Sequence, residues 1–225
     1  MLENKLLNSE KVKDLCKVFN VDLSILKKDV PEEDWDENSF LIDKCNFFMK
    51  EVCINRRFIS LESPYEEKMY CIDVFPMAIP IEGKFPQLEI FYMPDDKYGL
   101  NPLYFQEEKK FLNVLSKLWA YSSIYLESSI FRDTELLHEM QEHEQFQSTN
   151  QLYSKESIVT IDEWKVLEYL LALSFKNQIY TCIYFTDLRI IAWIGSLRAV
   201  LYICDKEQEH FVRTICTTEG LYLRK

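Results

Sequence analysis

Along residues 9–19 the apolar side chains Val12, Leu15, Cys16 and Phe19 recur at helical spacing, just after Ser9, a residue suited to an N-cap. The spacing predicts an amphipathic helix there, and a second over residues 38–54 that buries Phe40, Leu41, Cys45, Phe48, Met49 and Val52. Three β-rich runs follow at 58–62, 69–75 and 87–93, with Pro76, Pro80 and Pro86 marking a loop or sheet edge between the last two. Residues 94–99 carry turn chemistry, after which Phe111, Leu112, Leu115, Leu118 and Trp119 mark a helix over 104–120. A short β-like run at 123–126 closes this part of the chain. Residues 132–154 are polar and rich in Gln and Glu, a pattern of a solvated helix with a linker.

The rest of the chain is punctuated more sharply. Thr160, Ile161, Asp162 and Glu163 have the form of a capping box, in which a hydroxyl and a carboxylate satisfy the free amides of a helix start. The helix it opens, to about residue 176, is apolar on most faces through Trp164, Leu167, Leu170, Leu171, Leu173 and Phe175, and should be buried. Runs at 179–185, 188–194 and 197–204 are separated by Thr186-Asp187 and Gly195-Ser196, at the length of hairpin turns, which predicts an antiparallel meander. Asp205 is placed to cap a helix carrying Phe211, Val212, Ile215 and Cys216, Gly220 to end it, and residues 221–223 to form a last short strand.

These elements predict an α+β protein, antiparallel sheet flanked by helices, divided into an acidic segment 1–131, a polar segment 132–154 and a segment 155–225. Each flanking segment reads helix, three strands, helix, short strand. Either an internal duplication or two independent α+β patterns would produce that order, and no motif repeats between them.

Charge separates the two parts. Nine Lys/Arg and nine Asp/Glu lie in residues 151–225, so the whole formal charge of −11 falls in residues 1–150. The densest acid run is Glu32, Glu33, Asp34, Asp36 and Glu37 around Trp35, with Pro31 before it; a second cluster is Asp133, Glu135, Glu139, Glu142 and Glu144. Such a surface repels nucleic acid and anionic membranes, and basic residues cluster no further than Arg56 and Arg57. It attracts a cationic protein and speeds its association. An acidic excess also keeps an ordinary protein soluble, and a Trp can fold back on its own core as readily as it anchors a partner.

Chemical motifs are scarce. The stretch from His138 to His143 mixes two His with Glu139 and Glu142, but the His residues are five apart, about 140° around a helix, where a zinc helix needs four. With four glycines in the chain, at 83, 99, 195 and 220, a phosphate-cradling loop is absent, as is any Gly-x-Ser-x-Gly. The seven cysteines (Cys16, Cys45, Cys53, Cys71, Cys182, Cys204 and Cys216) are odd in number and scattered, which suits buried thiols in a reducing cytosol. The first residues show no secretion signal, and no apolar stretch has bilayer length. The sequence thus assigns no catalytic residue, metal ligand or cofactor.

The acid run around Trp35 and the closing hairpin–helix–Gly220-Leu221-Tyr222-Leu223-Arg224 pattern resemble, as a class, the bacterial immunity proteins that neutralise polymorphic or contact-delivered toxins. That resemblance implies a tight stoichiometric complex with a basic toxin, often a nuclease, blocking its substrate cleft; it carries over no contact residue, and the candidate contact, Glu32, Glu33, Asp34, Trp35, Asp36 and Glu37, rests on the acid run itself. Two other classes remain open on the residues alone. An intracellular enzyme would show a concave pocket with converging polar groups and perturbed titration, and a self-associating structural or regulatory module would change mass with concentration.

Overall fold

The computed structural model describes residues 10–19, 66–77, 95–96, 99–128, 130, 158–195 and 197–225. The expected helix at 38–54, the runs at 58–62 and 87–93, the polar segment 132–154 and both acid clusters lie outside the described residues. Helix α1 (Glu10–Phe19) is followed by a single 3-10 turn (Glu66–Lys68), strand β1 (Met69–Asp73) and a two-stranded antiparallel pair, β2 (Asp95–Asp96) with β3 (Gly99–Leu100). Helix α2 (Pro102–Ala120), β4 (Ile124–Ser128) and β5 (Val159–Thr160) come next. Then follow α3 (Trp164–Phe175), β6 (Thr181–Phe185), β7 (Ile190–Gly195), β8 (Arg198–Ile203), α4 (Lys206–Thr218) and β9 (Tyr222–Arg224).

Seven strands form one sheet in the order β5-β4-β6-β7-β8-β1-β9, every neighbouring pair antiparallel. The α+β architecture is the one expected. The strand from residues 69–73 is inserted between β8 and β9, so the segments read as 1–131 and 155–225 share a single sheet. In one row across it, Leu126, Ile183, Ala192, Leu201 and Tyr70 are successive cross-strand partners. They face α2, α3 and α4 through Phe111, Leu115, Leu118, Leu167, Leu171 and Val212. The next row, Tyr125, Tyr184, Ile191, Tyr202 and Met69, faces the other way, toward Leu15 and Phe19 of α1. Because both faces are packed, the central strands read as continuous apolar runs rather than as alternating ones.

The meander differs from its expected form at both turns. The β6–β7 connection spans four residues, Thr186 to Arg189, and β7 runs through Gly195, which pairs with Arg198 of β8, so Gly195 belongs to the strand rather than to the turn. Arg189 and Leu197 hold left-handed backbone, at φ 53° and 50°. That conformation costs an L-residue about 1 kcal/mol or more, and other contacts offset it. Leu197 is buried and its amide donates to the Phe175 carbonyl at 3.2 Å. The Arg189 guanidinium donates to the Val18 carbonyl (2.9 Å) and to both oxygens of Asp205 (3.0 and 3.1 Å).

The capping box is not formed. Thr160 belongs to β5, opposite Tyr125, and the N-cap of α3 is Glu163, which makes no side-chain capping bond. Pairing with the edge of β4 outcompetes the local motif. Asp205 is the N-cap of α4 by backbone, but its carboxylate is engaged by Arg189 rather than by helix amides. The end of α4 follows expectation: Gly220 has φ 74°, the Leu221 amide reaches back to the Cys216 carbonyl at 2.8 Å and the Gly220 amide to Thr217 at 3.2 Å. These are the two bonds of a Schellman motif, with Leu221 fully buried behind it. It delivers β9 to the open side of β1, where Arg224 pairs with the buried Asp73 carboxylate.

Candidate functional site

Helix α2 is nineteen residues long, and its two ends hold the polar features that set this fold apart from a plain apolar core. At the N-terminal end, the Asn101 side chain accepts from the amide of Leu103 at 3.0 Å and Pro102 occupies the first turn, where its missing N–H costs nothing. One turn on, Tyr104 is fully buried and Glu108 is 7 % exposed. The Tyr104 hydroxyl and Glu108 Oε1 make no hydrogen bond. Burial pushes the Glu108 carboxyl above the usual carboxylate range, against the pull of the Lys176 ammonium at the end of α3. Burial, with the neighbouring Glu108 charge, likewise raises the Tyr104 phenol.

At the C-terminal end, α2 stops at Ala120. The Tyr121 amide closes on the Leu118 carbonyl (3.1 Å) and the Ser122 amide on Trp119 (3.2 Å). The chain then turns into β4 by a reciprocal clasp with the β6–β7 connection. The Ser123 amide donates to Asp187 Oδ2 at 2.7 Å and the Asp187 amide to Ser122 Oγ at 3.0 Å. The Thr186 hydroxyl and amide both donate to the Ser123 carbonyl, at 3.0 and 3.1 Å.

Beside this clasp lies an open cleft of about 440 Å³. The end of α2 (Trp119 to Ser122), the first residues of β4 through Tyr125, Thr160 to Asp162 and Thr186-Asp187 line it. Trp119 stands 5.8 Å from Trp164, and Tyr121, 64 % exposed, meets Phe211 of α4 edge-on at 5.1 Å. Two carboxylates, Asp162 and Asp187, line the cleft, together with the hydroxyls of Ser122, Ser123, Thr160 and Thr186. Among the described residues that line it there is no Lys, Arg or His. The one basic residue in the last turn of α2, Lys117, is turned to Glu219 of α4, whose carboxyl it holds below the usual range with help from Asn113.

Sequence reasoning missed this cleft because its walls come from three separated segments, and it read Thr160 to Glu163 as a helix cap. The legible signs were the exposed-type run Tyr121-Ser122-Ser123 after a helix and Asp187 in a turn. The residues expected at a contact, Glu32, Glu33, Asp34, Trp35, Asp36 and Glu37, lie outside the described residues. Among the described residues no three His, Cys, Asp or Glu side chains group to hold a metal, and no helix is long and apolar enough to cross a membrane. Among the described cysteines, Cys71 is half-buried and Cys182, Cys204 and Cys216 are buried. Burial pushes Cys216 up to about 12, which leaves it a packing residue rather than a nucleophile. No family model, curated protein or solved structure matches the chain.

Proposed function

We propose that this protein is a non-enzymatic, cytoplasmic binder of a basic protein partner, acting as an immunity protein acts on its toxin. The observation that carries the reading is a surface cleft with aromatic walls and two carboxylates, and no cation among its described lining residues. The formal charge of −11 carried by residues 1–150 supports it from the sequence side, because it draws a cationic surface in and speeds its docking. In this reading the partner meets the acid run 32–37, with Trp35 as the anchor.

The test starts from the reading frame next to this gene. A basic toxin encoded there, mixed with the purified chain, should form a 1:1 complex and lose its activity. Trp35→Ala should weaken that complex by about 2 kcal/mol, chiefly through faster dissociation, in a protein whose melting temperature is unchanged. A neighbouring toxin that stays fully active in the presence of excess protein would overturn the reading.

A further inference from the structure

We infer that the cleft at the C-terminal end of α2 is a recognition site for an arginine side chain, presented by the basic partner; the identity of its donor rests on the reading above. Three independent features converge on a cation. Asp162 and Asp187 supply two carboxylates with no basic side chain among the described lining residues. A nineteen-residue helix ends there, and the negative end of its dipole adds about half an elementary charge at its last turn. Trp119 and Tyr121 supply aromatic rings, and a cation laid over such rings is attracted.

The shape selects among cations. A bare metal ion would need three or more converging ligands, and the described residues group none. A space of about 440 Å³ is also far larger than an ammonium head requires. A guanidinium is flat, stacks on aromatic rings and carries five N–H donors. The hydroxyl oxygens of Ser122, Thr160 and Thr186 and the two carboxylates are the acceptors such a fork needs. The clasp between Ser123 and Asp187 holds the corner rigid before a ligand arrives, so little ordering cost is left for binding.

The probe is N-acetyl-arginine amide, titrated into the full chain and followed by the amide resonance of Ser123 and the indole resonance of Trp119. The neutral isostere N-acetyl-citrulline amide and N-acetyl-lysine amide serve as comparators. Saturable shifts at the cleft are expected for arginine, with citrulline at least about tenfold weaker because it loses both the charge and the ring attraction. Lysine should fall between them. Asp162→Asn should weaken arginine several-fold. Equal binding of citrulline, shifts that map elsewhere, or an unaltered titration in Asp162→Asn would each overturn the inference. The two proposals separate cleanly. A basic partner that binds Asp162→Asn as it binds the native chain removes the cleft and leaves the partner reading standing. Arginine amide bound at the cleft with the neighbouring toxin unaffected does the reverse.

Discussion

At the N-terminal end of α2 a carboxylate, Glu108, is buried beside the Tyr104 phenol, with the Lys176 ammonium and that phenol acting on it against its desolvation. At the C-terminal end two carboxylates, Asp162 and Asp187, stand in the open with no cation among the described residues that line their cleft. Charge of the same sign thus has opposite consequences one helix-length apart. Water hydrates the exposed pair at no cost to the fold, so that Asp162 can meet a partner while Asp187 also accepts from the Ser123 amide. The buried one is desolvated, and its charge works against stability. An acidic group is therefore a binding feature or a folding liability according to its solvation, which a count of Asp and Glu does not reveal.

The helix joining the two ends is the scaffold of both, and breaking it should have the largest effect. Phe111 is buried at its middle, 5.5 Å from Phe175 of α3. Phe111→Ala should cost about 3–5 kcal/mol by lost burial and the cavity left behind. Chemical denaturation measures that loss, and a cost under about 1 kcal/mol would mean the helix does not bind the two ends into one cooperative unit.

Glu108 sharpens the contrast through pH. Its carboxyl is raised by burial, so the folded state holds its proton to higher pH than the unfolded chain does. The stability tied to Glu108 is therefore complete below the ordinary Glu range and is lost as pH rises through the raised value. Glu108→Gln, which cannot ionise, should stabilise the protein at pH 8 by about 1–3 kcal/mol, with the gain fading toward pH 4. Melting curves of both proteins across that range decide it. A variant less stable than native at pH 8 would show that the Lys176 attraction outweighs the desolvation.

Most of the scaffold was legible because it repeats a period. Leu167, Leu170 and Leu171 or Val212, Ile215 and Cys216 announce a buried helix face, and Gly220 announces a helix end. What was not legible depends on competition between distant residues. Thr160 and Glu163 meet the local requirements of a cap, and only the nearness of β4 draws Thr160 into a strand. Leu197 in left-handed backbone defies turn chemistry, and its burial and the bond to the Phe175 carbonyl oppose that strain only once α3 is in place. The cleft is illegible for the same reason, since Tyr121, Asp162 and Asp187 have no spacing to read.

The smallest effect on folding should come from the exposed end, and its smallness is what makes the comparison decisive. Asp162 lies in the three-residue connection between β5 and α3, is exposed and takes part in no hydrogen bond or ion pair among the described residues, unlike Asp187, which anchors the Ser123 amide. Asp162→Asn keeps the side chain's size and removes its charge, so stability should stay within about 0.5 kcal/mol of native. The same change deepens neither a cavity nor a desolvation penalty, and an effect on ligand binding measured in this variant therefore reports the cleft itself. Parallel urea titrations of Glu108→Gln and Asp162→Asn at pH 8 test the contrast directly, with a clear shift expected for the first and none for the second. A loss of more than about 1 kcal/mol in Asp162→Asn would mean that this carboxylate holds the β5–α3 connection in place. The open end of α2 would then belong to the architecture rather than to recognition.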